Sequence, residues 1–138
     1  MIEVIFAAHG QSAPAMADSV AMVLGASQRL HTLALTHDGG IAHFRRQLTS
    51  LVATLRQGAN DGILILTDMP AGTPYNVGVE LALAHENMDV LSGTNFPMVL
   101  TALDQNELPL AELTALVMAT GRESIHRFVD IEFPQEDF

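Results

Sequence analysis

Short apolar runs alternate with amphipathic stretches along the whole chain. IEVIFAA at 2–8 is short, apolar and partly β-branched, which predicts a buried strand of a parallel sheet. From Ala13 to Leu24 the residues Met16, Val20, Val23 and Leu24 fall on one helical face, and Gly25 follows as a stop. HTLALT at 31–36 reads as a second strand, turned by HDGG. A helix over 41–57 shows a stripe of Ile41, Phe44, Leu48, Leu51, Val52 and Leu55 opposite Arg45, Arg46 and Gln47, with Gly58 closing it. GILILT at 62–67 is a third strand, a helix opens near Thr73, and MDVLSG at 88–93 is a fourth strand. A short helix around Pro97–Leu103, a last helix over Leu110–Thr120 and a final strand RFVDIEF at 127–133 complete the order. This alternation predicts an α/β fold: a mostly parallel open sheet in three layers, with helices on both faces.

At 138 residues, with no internal repeat, low-complexity tract or linker, residues 1–138 read as one domain with a single core. The formal net charge is −10, and all six basic residues are arginines. That balance disfavours nucleic acid and anionic membrane surfaces and suits a basic protein partner. The absence of cysteine rules out disulfides and thiolate metal sites. The first residues lack the basic and long apolar regions of a signal peptide, and no window approaches a membrane span. A cytoplasmic protein is expected, reaching a membrane only indirectly.

The chemistry gathers where strands end. His9 follows the first strand, and Gly10 leaves its imidazole uncrowded while letting the backbone turn into the next helix. The third strand ends at Asp68 and runs into AGTPYN. Both residues then lie at the carboxyl edge of the sheet, where open α/β folds bind ligands. Thr73 reads as an N-cap with Pro74 at the first helical position, and Gly72 lets a backbone amide approach an anion. The helix VGVELALA at 77–84 is apolar almost all round, so it needs cover beyond one sheet face. His31, His37, His43, His85 and His126 show no metal-ligand spacing, and no Walker loop, GxGxxG or GxSxG occurs. No metal and no cofactor are expected.

His9-Gly10, TDMPAGTPYN at 67–76, LSGTNFPMVL at 91–100 and TGRESI at 120–125 together resemble the mannose-family enzyme IIA. That family is a domain of the bacterial phosphoenolpyruvate-dependent sugar phosphotransferase system, and the resemblance covers almost the whole chain. It implies that His9 receives a phosphoryl group from the phosphocarrier protein HPr and passes it to a IIB component. It gives Asp68 the role of hydrogen-bonding the other ring nitrogen. Thr73, with backbone amides of Gly10 and Gly72, would hold the phosphoryl oxygens. It also implies a homodimer, with an antiparallel C-terminal edge strand, here about Phe128–Phe133, crossing between subunits. This chain departs from the family pattern at Ala71, where a second glycine is usual, at Thr73, where serine is commoner, and at Phe96, usually aliphatic.

Two alternatives share the fold. One is the phosphotransfer subunit that feeds dihydroxyacetone kinase, disfavoured because that branch more often has serine after the histidine. The other is a regulatory binding module whose histidine no longer accepts phosphate.

Overall fold

A computed structural model describes residues 1–129. Four strands, β1 (Ile2–His9), β2 (Leu30–Leu35), β3 (Gly62–Thr67) and β4 (Met88–Leu91), form one parallel sheet in the order β2-β1-β3-β4. Helices α1 (Ser12–Leu24), α2 (Gly40–Arg56), α3 (Thr73–Ala84), α4 (Phe96–Asp104) and α5 (Leu110–Glu123) connect and cover it.

The central strands explain the layering. Successive side chains of a strand point to opposite faces. In β1, Ile2, Val4, Phe6 and Ala8 enter one core with Leu64 and Leu66 of β3, covered by Val20 of α1, Val99 of α4 and Val117 of α5. The alternate residues Ile5, Ala7, Ile63 and Ile65 enter the other, covered by Phe44, Leu48 and Val52 of α2 and Val77 and Leu81 of α3. With apolar residues required on both faces, β1 and β3 read as continuous hydrophobic runs, as buried parallel strands do. The flanking strands β2 and β4 are only half-buried.

The chain leaves β1 toward β2 on one side and later enters β3 on the other. The strand order therefore reverses between β1 and β3, which opens a crevice at their carboxyl ends. His9 closes β1 and Asp68 follows β3, so both reach that crevice.

Several boundaries differ from the sequence expectation. Ile41, in the first turn of α2, is 57% exposed rather than part of the buried stripe. Leu24 is likewise exposed at the end of α1. Helix α5 continues to Glu123, three residues beyond the expected end. Helix α4 starts at Phe96 because Asn95 caps it, its side-chain oxygen accepting from Met98 N at 3.2 Å. The Asn95 amide also donates to the Gly121 carbonyl at 3.1 Å. A Cβ at Gly121 would stand 2.5 Å from Met98 Sδ and 2.7 Å from Cγ, so glycine makes room for the Met98 side chain where α5 crosses the start of α4. The expected final strand over 127–133 does not begin at 127–129, and the rest of it lies outside the described residues.

Candidate active site

β1 ends with its last side chain, His9, carried out of the core; the chain then turns at Gly10, whose φ of 61° favours glycine. The Gly10 N–H donates to the Leu35 carbonyl at 2.8 Å. The amide expected to hold a phosphoryl oxygen is thus engaged within the fold, and Gly10 contributes conformation instead. Ser12 Oγ donates to the His9 carbonyl at 2.8 Å and so fixes the same turn from the start of α1.

Asp68 holds the histidine twice through one oxygen. Its Oδ2 accepts the His9 backbone N–H at 2.9 Å and lies 2.8 Å from the His9 ring Nδ1. A carboxylate is an acceptor only, so this contact places the ring proton on Nδ1 and leaves Nε2 with its lone pair. Burial pushes the Asp68 carboxyl pKa up, but the two His9 hydrogen bonds and the imidazole charge outweigh it, and the net shift is downward. The second oxygen, Oδ1, is buried without a hydrogen-bond partner.

The other wall is the start of α3. Gly72 is extended (φ −84°, ψ 166°) and is itself the N-cap, with Thr73 and Pro74 opening the helix. The expected frame with Thr73 as cap is thus displaced by one residue, because the Gly72 carbonyl already accepts Asn76 N at 2.9 Å. The amides of Thr73 and Tyr75 precede that first helical bond, and Pro74 has none to offer. They and the positive end of the helix dipole favour an anion at this point. A Cβ on Gly72 would lie 3.1 Å from His9 Cε1, 3.7 Å from Nε2 and 3.3 Å from Met69 Cγ. Gly72 therefore flanks the unprotonated side of the imidazole at close quarters. The loop reaches this position through Ala71, which adopts a left-handed φ of 61°.

Beside His9 runs an open groove of about 730 Å³, bounded by Leu35, Thr36, His37, Asp38 and Ile41. Sequence spacing gave His37 no role, yet it lines the groove that exposes His9. His31 is occupied elsewhere, 3.1 Å from Glu3 Oε2 beside the Arg29–Glu3 ion pair. Among the described residues, no cluster of three or more histidine and acidic side chains is arranged to hold a metal.

A nucleophilic nitrogen, a carboxylate fixing its tautomer and an amide-rich helix start now stand together. The family model described as "PTS system fructose IIA component" matches residues 3–118. The chain belongs to the mannose-family enzyme IIA proteins. It is 31% identical over 124 residues to a sorbose-specific EIIA component of Lacticaseibacillus casei, covering 88% of this chain and 87% of that one. The sorbose-specific EIIA component of Klebsiella pneumoniae is 30% identical over 139 residues, and the match covers 100% of both chains. A solved EIIA structure from Streptococcus agalactiae superposes with a TM-score of 0.83 at 26% identity, covering 94% of this chain and 98% of that one. An enzyme IIA has a part in phosphoryl transfer within the sugar phosphotransferase system. No helix among the described residues is long and apolar enough to cross a membrane.

Proposed function

We propose that this enzyme IIA is a phosphoryl carrier whose nucleophile is His9 Nε2, loaded by HPr and discharged to a IIB component in the cytoplasm. The observation that carries this reading is the double grip of Asp68 Oδ2 on the His9 N–H and Nδ1, which leaves Nε2 facing Gly72. The Nε2 lone pair attacks phosphorus while the donor's bond to phosphorus breaks and its electron pair returns to the donor. The Nδ1 proton stays where it is, and Asp68 stabilises the positive charge that grows on the ring. The amides at the start of α3 hold the phosphoryl oxygens, and the acceptor protein then repeats the displacement in reverse. In-line positioning and charge stabilisation supply what the reaction needs. Thr73 is the first residue of that helix, and its hydroxyl joins those amides in holding the phosphoryl group.

Incubation with phosphoenolpyruvate, enzyme I and HPr tests the reading. Intact mass should rise by one phosphoryl group, and the label should map to His9. An unchanged mass under conditions that phosphorylate HPr overturns it.

The working unit we propose is a homodimer. Leu83 of α3 is 84% exposed, and Ile125, Phe128 and Val129 are also largely exposed. β4 pairs with β3 alone among the described residues, so its other edge can accept a strand. The segment 128–133 of a second subunit has the apolar pattern to do so.

A further inference from the structure

Asp68 Oδ1 and Thr94 Oγ1 are both buried, and neither has a hydrogen-bond partner in the structure. Buried polar groups left unpaired are costly, so such pairs of orphans need a physical account. Their chemistry is complementary: an ionised carboxylate only accepts, and a threonine hydroxyl can donate. Their backbones are tied at the same place. The Thr94 N–H donates at 3.1 Å to the carbonyl of Thr67, the peptide unit that leads directly into Asp68. A third orphan, Thr114 Oγ1, is at the wrong end of the sheet. Leu110 at the start of α5 packs by Gly62 at the start of β3, and Thr114 is about one turn further on.

We propose that Thr94 is a positioning residue for the phosphoryl-transfer site, its hydroxyl donating to Asp68 Oδ1 directly after a turn about χ1 or across one water. Asp68 then has both oxygens held, Oδ2 by His9 and Oδ1 by Thr94, and cannot swing about its χ2 bond. The loop after β4 thereby joins the ends of β1 and β3 in setting the His9 tautomer. Thr94 touches neither the imidazole nor the phosphoryl group and acts only through Asp68. The proposal rests on the carrier reading for its kinetic consequence, but the hydrogen bond itself does not.

Two substitutions separate hydroxyl from shape. Thr94→Val keeps the branched outline and removes the donor; Thr94→Ser keeps the donor and removes a methyl. The Asp68 carboxyl carbon is followed by NMR against pH in the unphosphorylated protein. His9 contacts this carboxylate directly, and His37 and Asp38 border the groove beside His9; all three are common to the variants. The midpoint of Asp68 should rise by about half a unit in Thr94→Val and return to the parent value in Thr94→Ser. Phosphorylation by enzyme I and HPr should slow by about threefold to tenfold in the valine variant and recover in the serine variant. A valine variant that titrates like the parent overturns the proposal, as does a serine variant that titrates like valine. Failure of the parent protein to accept phosphate would sink the carrier reading and leave the titration result standing.

Discussion

Asp68 reaches His9 through a single oxygen that accepts both the backbone N–H and the ring Nδ1, at 2.9 and 2.8 Å. One atom therefore sets the position of the residue and the orientation of its ring together. His9→Ala should abolish phosphate uptake and change stability by less than about 1 kcal/mol, since its side chain is 45% exposed and fills no core. Intact mass and a thermal melt check this. Substitution of His37, His43 or His85 should leave uptake in place, and a labelled His9→Ala protein would transfer the role to another residue.

Asp68→Asn should slow phosphorylation by about two to four orders of magnitude, because an amide can donate to Nδ1 and hold the proton on the wrong nitrogen. Rapid-quench kinetics at saturating phosphorylated HPr measure it, and an unchanged rate would reduce Asp68 to a turn residue.

The same carboxylate gives stability an acid limb. Its pKa is lower folded than unfolded, so the folded state binds fewer protons there. The stabilisation is complete above the ordinary aspartate range, about pH 4, and is lost as pH falls through the depressed folded value. Chemical denaturation across that window should show a steeper loss for the parent than for Asp68→Asn. Parallel curves would place the acid sensitivity elsewhere.

Gly72→Ala separates catalysis from folding. The Gly72 backbone conformation suits any residue, so the fold should tolerate a methyl group. That methyl would press on His9 Cε1 at 3.1 Å and crowd Nε2, and phosphorylation should fall by about tenfold or more. Equal rates for variant and parent would show that Gly72 does not border the reacting nitrogen.

Ala71→Gly should stabilise the protein. A left-handed alanine costs about 1–2 kcal/mol, and glycine returns part of that gain through the greater freedom of its unfolded chain. The net is about 0.5–1 kcal/mol, a rise in Tm of about 2–4 °C. A lower Tm would mean that the loop is held by contacts of the Ala71 methyl.

Much of this was legible in the amino-acid order. Strand runs ending at His9 and Asp68 place both at one sheet edge, since parallel strands must end on the same side. The pairing of Asp68 with His9 followed from the family motif. What escaped depends on backbone geometry and on neighbours distant in sequence. At Ala71 the residue itself gives no sign of a left-handed turn; only the glycine usual at that position in the resembled family does. The use of the Gly10 amide by Leu35 is a β1–β2 pairing, invisible within HG. Thr94 has meaning only once β4 lies beside β3. The Asn95 cap was missed although its signal is local: an asparagine two residues before Pro97 favours a helix start, and the structure begins α4 at Phe96 rather than at Pro97.

Homodimer formation is checked by sedimentation of the full chain and of a chain truncated after Arg127. A full-length monomer at micromolar concentration refutes the dimer; a dimeric truncation refutes only the strand exchange.

With Nδ1 committed to Asp68, only Nε2, beside Gly72, is left for a reacting partner. If His9 relays phosphate between two proteins, as proposed, donor and acceptor must meet the same nitrogen and cannot be bound there together. On the proposed carrier reading the site works as a turnstile: one partner must leave before the other enters, and ping-pong kinetics are the expected outcome. Whichever partner leaves more slowly would then set the pace of the relay, and an excess of the unphosphorylated donor should inhibit discharge by occupying the doorway.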